Sequence, residues 1–231
     1  MKFDIGIIGA LEDEVSRIVS LLENKSEELI SGIKFYTGSI CSKNIVVAKC
    51  GVGKVFAALC AEAMIIKFAP ALVVNTGVGG GLSRKLRTTD IAIADNVCQH
   101  DMDTSPLGDP KGMISGINKV FFACDRRAVS IISESALERG YNSLVGTVAS
   151  GDRFISSRDD AELIAADFGA VACEMEGGAI AQVCFVNNTP FAIIRAISDN
   201  ADEGASLSYS DFLPIAVENS VALTLDLIKK Y

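Results

Sequence analysis

Residues 171–185 read VACEMEGGAIAQVCF, an apolar or small-residue run that carries two carboxylates, Glu174 and Glu176, on either side of Met175. The part leading into the acids, GAVACEM (169–175), reads as a short buried strand, and EGGAIAQVCFV (176–186) reads as a helix. A strand that passes through acids straight into a helix is one β–α unit. Buried carboxylates are costly unless paired, hydrogen-bonded or protonated. A plain alternative is that Glu176 only opens the helix, since acids favour a first turn.

The same alternation runs outward in both directions. FDIGIIGA (3–10) is an apolar run followed by LEDEVSRIVSLLEN (11–24), where Val15, Ile18, Val19 and Leu22 recur at helical spacing. IKFYTGSI (33–40) and NIVVAKC (44–50) read as a hairpin across CSKN, and KVFAALCAEAMIIKF (54–68) as a helix closed by Pro70. ALVVNTG (71–77) is a buried strand entering a glycine loop, and DIAIADNV (90–97) is another strand. DRRAVSIISESALERG (125–140) is an amphipathic helix, SLVGTVASG (143–151) a strand, and residues 158–167 an acidic helix. PFAIIRAIS (190–198) is a strand, and a long helix covers about 209–230. This pattern predicts an α/β fold with both sheet faces covered. The N-terminal hairpin makes a mixed sheet the expectation. One domain over residues 1–231 is expected, with a single long irregular loop at 99–119.

Composition narrows the class. The chain has 231 residues, 49% of them hydrophobic, enough for a substantial core, and a net charge of −8. That charge argues against nucleic acid or an anionic membrane surface as partner. Seven cysteines form no CxxC pair and sit mostly in apolar stretches, as reduced core thiols do. No stretch has the roughly 18 uninterrupted apolar residues of a membrane span. The N-terminal apolar run is broken by Asp4 and followed by acids, unlike a signal peptide. A cytoplasmic protein is expected.

A single histidine, His100, makes Ser-His-Asp, Cys-His and multi-histidine metal sites improbable. GVGGG (77–81) lacks the GxGxxG spacing of a dinucleotide turn, and no Walker A motif is present. Any catalysis therefore falls to carboxylates. Glu14, the pair Glu174 and Glu176, and Asp199 each follow a predicted strand, where ligand sites of open α/β sheets lie. Each also has an ordinary explanation as a first-turn or capping acid. Arg195, inside an apolar strand, needs an anion beside it. A general acid, a base and sugar-binding carboxylates together suit cleavage of a glycosidic bond.

Taken in order, IGIIGALEDEV, CGVGKV, VNTGVGGGL, SGDRFI, EMEGGAIAQV, RAISDNAD and LSYSDFL cover essentially the whole chain. This set resembles the bacterial 5'-methylthioadenosine/S-adenosylhomocysteine nucleosidases. The resemblance implies a three-layer α/β/α sandwich around a mixed, twisted sheet, a homodimer, and no cofactor or metal. It implies Glu14 as the base that activates water, Asp199 as the acid that protonates adenine N7 beside Ser198, and Glu176 and the Met175 backbone on the ribose. Arg195 would orient the water and its carboxylate neighbours. Phe154 would stack on the purine and the Ile155 backbone would read its edge. Gly80 would admit the nucleoside, with Val52 and Tyr209 around the 5' substituent. Leu107, on the 99–119 loop, would close the neighbouring subunit's 5' site. Glu174 matches the pattern without an assigned role.

Val78 stands where some members have Ser, and Tyr209 where Phe is frequent, which bears on substrate ranking. Three rivals remain. A phosphorylase would need phosphate contacts in the first loop, which here is the acidic GALEDEV. A nucleosidase for an aminodeoxyfutalosine-type substrate would differ only in the 5' pocket. A non-catalytic nucleoside-binding module would be expected to lack Glu14 or Asp199.

Overall fold

The β–α unit of residues 171–185 exists as β9 (Ala170–Glu174) and α5 (Gly177–Val186) in the computed structural model, which describes residues 2–202 and 205–231. The side chains of residues 206–208 lie outside the described residues, and with them two positions of the LSYSDFL motif. In chain order the other elements begin with β1 (Ile5–Gly9), α1 (Glu12–Ser20), β2 (Glu23–Ile30), β3 (Ile33–Ile40), β4 (Lys43–Lys49), α2 (Lys54–Phe68), β5 (Leu72–Gly81) and β6 (Ile91–Gln99). A short 3-10 turn (Ser105–Leu107), β7 (Phe122–Ala123), α3 (Arg126–Glu138), β8 (Ser143–Ser150) and α4 (Arg158–Phe168) follow. After β9 and α5 come β10 (Phe191–Asp199) and α6 (Ala205–Lys230).

Strand side chains alternate between faces, and each face is covered by helices. Ile5, Ile7, Leu72 and Val74 pack with Val15 and Ile18 of α1, Ile132 of α3 and Val221 of α6. Ile8 and Val73 point the other way, toward Ala57, Cys60, Ala61, Met64 and Phe68 of α2 and Ile180 of α5. The α2 positions recur at helical spacing, so one stripe is buried, at ~1.5–3 kcal/mol for each large side chain. That helix stops at Ala69, which adopts a left-handed φ of 44° immediately before Pro70. Ile164 and Phe168 of α4 form a third, smaller cluster with Cys98 and Ala149.

The sheet is mixed, with parallel pairs such as β1–β4, β1–β5 and β8–β9 and antiparallel pairs such as β3–β4 and β10–β6. Its order is β10-β6-β8-β9-β5-β1-β4-β3-β2, and β10 also pairs with β5. Five strands, β10, β6, β8, β9 and β5, therefore close a ring, and β1, β4, β3 and β2 extend from it. Strands β5 and β9 meet only through Gly80 against Cys173 and Gly81 against Ala172, near their C-terminal ends.

Two expectations need correction. The helix expected over 11–24 ends at Ser20, and Glu23–Ile30 is a strand, β2. Its first six residues are polar and all but Ile30 are exposed, so no apolar alternation marks it. The glycine segment after Gly77 is not a loop, because β5 continues through Gly81. Glycine is needed there for close packing: a Cβ on Gly77 would lie 2.5 Å from Oε1 of Glu14, and one on Gly79 2.7 Å from the Cys173 carbonyl.

Candidate active site

The C-terminal ends of β1, β5, β9 and β10 open on one cavity of about 500 Å3. Glu14 enters from the first turn of α1. Its Oε2 accepts the backbone N–H groups of Ala10 at 2.6 Å and Leu11 at 2.9 Å, and Oε1 accepts that of Val78 at 3.2 Å. The reading of Glu14 as a first-turn acid is thus half right, since the carboxylate reaches back over its own helix start while lining the cavity. Burial raises its pKa, opposed by those N–H donors and by the charge of Arg195.

The two carboxylates of the β9–α5 unit divide their tasks. Glu174 Oε2 accepts the backbone N–H groups of Glu176 at 3.0 Å and Gly177 at 2.7 Å, and so caps α5. The Ser150 hydroxyl and the Arg195 guanidinium also donate to it. Glu176 occupies the N-cap position but makes no capping bond with its side chain. Its Oε1 instead accepts the Gly53 N–H at 2.8 Å, and its Oε2 stands 4.0 Å from Arg195. Burial, then the neighbouring Glu174, push the Glu176 pKa up to about 7 against the pull of Arg195. Both acids line the cavity, but helix opening is the work of Glu174, and Glu176 faces the cavity without that task.

Arg195 lies behind this wall, 1% exposed, and does not line the cavity. Besides Glu174 it donates to the side-chain and backbone oxygens of Asn75 and to its neighbour's carbonyl, at 2.9 Å for Ile194. Burial works against its charge, but Glu174, Glu176 and Glu14 more than offset that and hold its pKa above the usual arginine value. The anion that Arg195 requires is thus a carboxylate of the same site.

At the end of β10, Asp199 accepts the Ser198 hydroxyl at 2.8 Å and the Ala201 N–H at 2.9 Å. Burial raises its pKa above the ordinary aspartate value. The opposite wall is aromatic: Phe154 meets Tyr209 edge-on, with ring centroids 5.8 Å apart. Val52, Val78, Gly80, Ile155, Met175 and Ser198 complete the expected lining. Leu107 does not reach this cavity and is 84% exposed.

Sequence reasoning passed over Ala10, Leu11, Gly79, Arg153 and Cys173, which also line the cavity. All but Arg153 are small or apolar and carry no chemical signal. Arg153 lies inside SGDRFI, where its charge was a usable hint, and it bonds Asp160 at 2.6 Å. Among the described residues no group of three or more His, Cys, Asp and Glu is arranged to hold a metal ion. No helix among them is long and apolar enough to cross a membrane.

An α/β sheet whose strand ends gather four acids, Glu14, Glu174, Glu176 and Asp199, around a mostly apolar, nucleoside-sized cavity defines an enzyme for a small molecule. The sequence model of the phosphorylase superfamily matches residues 4–229, and the chain belongs to that superfamily. It is 39% identical over 227 residues to a 5'-methylthioadenosine/S-adenosylhomocysteine nucleosidase of Haemophilus influenzae (strain PittEE), covering 98% of this chain and 99% of that protein. The nucleosidase of the same name from Neisseria meningitidis, solved with methylthio-immucillin-A, superposes with a TM-score of 0.95 at 34% identity over 99% of both chains. A futalosine hydrolase of Helicobacter pylori strain 26695 superposes with a TM-score of 0.94 at 33% identity, over 99% of this chain and 98% of that one.

Proposed function

We propose that this chain hydrolyses the N-glycosidic bond of 5'-methylthioadenosine and S-adenosylhomocysteine, and also of 5'-deoxyadenosine, releasing adenine. Glu14 activates the attacking water and Asp199 protonates adenine at N7. Glu176, with the Met175 backbone, holds the ribose hydroxyls and faces the positive charge that develops on the sugar. Phe154 stacks on the purine, the Ile155 backbone reads its edge, and Val52 and Tyr209 bound the 5' substituent. Arg195 acts from behind the wall, through Glu174 and Glu176.

The observation that carries this reading is the occupation of the backbone N–H groups of the first loop and of the end of β5. The Glu14 carboxylate already accepts from Ala10, Leu11 and Val78. Those donors are what a phosphate nucleophile would use, and an ionised Glu14 repels phosphate. This favours water over phosphorolysis. The test is adenine release from 5'-methylthioadenosine in phosphate-free buffer, then with phosphate added. Release without phosphate, yielding methylthioribose, supports the hydrolase; release only with phosphate makes the chain a phosphorylase.

A second reading is an aminodeoxyfutalosine-type substrate, favoured by the Helicobacter pylori neighbour and by the half-open wall at Val52 and Phe154, 51% and 46% exposed. The same assay with that substrate ranks the two. We further propose a cytoplasmic homodimer serving methionine and methyl-group recycling, in which the 99–119 loop brings Leu107 to the partner's 5' pocket. The exposed Leu107, Val55 and Phe56 support such a contact.

A further inference from the structure

Outside the cavity, three segments meet at one carboxylate. Asp101 follows the end of β6; its Oδ1 accepts from Lys54 Nζ at 2.6 Å, and its Oδ2 accepts the Asp152 backbone N–H at 2.9 Å. Asp152 Oδ1 in turn accepts the Lys54 backbone N–H at 2.8 Å, at the start of α2. Asp101, Lys54 and Asp152 thus close a ring that ties the turn before α2 to the loop after β8. Lys54 Nζ also reaches Gln99 Oε1 at 3.2 Å, and Gln99 bonds Gln182 of α5 at 2.7 Å. The Lys54 and Asp101 side chains are only 18% and 25% exposed, so solvent screens this pair less than an ordinary surface bridge.

The residue immediately before Lys54, Gly53, supplies the N–H that Glu176 accepts. Gly53 holds a φ of 99°, so its direction depends on what anchors either side of it. On the flanks of the ring, Val52 and Phe154 line the cavity, whereas Asp101 and Lys54 do not.

We propose that Asp101 is a positioning residue: through Lys54 and Asp152 it fixes the Gly53 N–H on Glu176, and with it the orientation of the cavity carboxylate. The inference rests on the reading above that Glu176 holds the ribose. Lowered by the Lys54 bond and the Asp152 N–H against the opposing effect of burial, the Asp101 pKa keeps its carboxylate ionised for this task.

The test is a double-mutant cycle on the full chain, read as the dissociation constant for methylthio-immucillin-A. Asp101→Ala is expected to weaken binding about tenfold in the native background and less than twofold beside Glu176→Gln. Lys54→Met, which removes the other end of the ion pair, is expected to repeat the pattern and stands in if Asp101→Ala does not fold. Lys54→Arg is expected to keep native affinity. Equal losses in both backgrounds, or no loss in the native one, overturn the positioning role. A native chain that binds the analogue yet shows no coupling loses this inference and keeps the proposed function; a chain that neither binds it nor releases adenine loses both.

Discussion

The Arg195 guanidinium is hydrogen-bonded to Glu174 and stands 4.0 Å from Oε2 of Glu176, so one buried cation serves two buried acids. Removing it strands both. Arg195→Met is expected to cost about 3–5 kcal/mol, the range for breaking a buried pair from one side. Urea unfolding at neutral pH measures it, and a loss below about 1 kcal/mol would mean that the two acids need no cation.

Glu176 gives a pH signature of its own. Its folded pKa of about 7 exceeds its unfolded value of 4.5, so between those values the folded state holds a proton that the unfolded chain has lost. Stability from this group is therefore full below pH 4.5 and falls as pH rises toward 7, by up to ~3 kcal/mol. Glu176→Gln should remove that decline and leave the empty protein more stable than native at pH 7.5. Urea midpoints at pH 5.0 and 7.5 for both proteins decide the matter.

Gly77 gives Glu14 its room. Since a Cβ there would sit 2.5 Å from Oε1 of Glu14, Gly77→Ala must displace the carboxylate or the strand. The expected result is a loss of about 10- to 100-fold in kcat/KM with the protein still folded, because small misplacements of a reacting group carry penalties of that order. Unchanged kinetics would place Glu14 outside the chemistry.

The base and the acid should separate in pH–rate and binding experiments. Glu14 must be ionised to accept a proton from water, and burial holds its pKa above 4.5. The rate is expected to fall as pH drops through that raised value, and Glu14→Gln to lose hydrolysis while keeping nucleoside binding. Asp199→Asn should retain binding and lose nearly all turnover, since an amide cannot protonate N7. Near-normal turnover would remove Asp199 from the mechanism.

What the sequence made legible follows from how each residue announces itself. Arg195 and the acids stood out because charge inside apolar runs is expensive and demands a partner. The partner itself was only partly readable: that Glu174 caps α5 while Glu176 faces the cavity depends on which N–H groups the strand end presents. The Glu14 bond to Val78 joins residues 64 positions apart, and local pattern carries no trace of it. Strand β2 escaped notice because pairing with β3, rather than a buried face, makes it a strand. The ring closed by Asp101 uses ordinary charged residues whose meaning lies wholly in their distances.

Among the described residues, the closure of five strands on one another leaves the sheet with a single long free margin, β2, which pairs only with β3. That margin carries Glu23, Lys25, Glu27 and Glu28 in the open. Another chain adding a strand there would have to bring its backbone up against a predominantly acidic rim. The architecture that gathers the strand ends around the cavity thus also confines the risk of runaway strand addition, and of fibre growth, to one charged border.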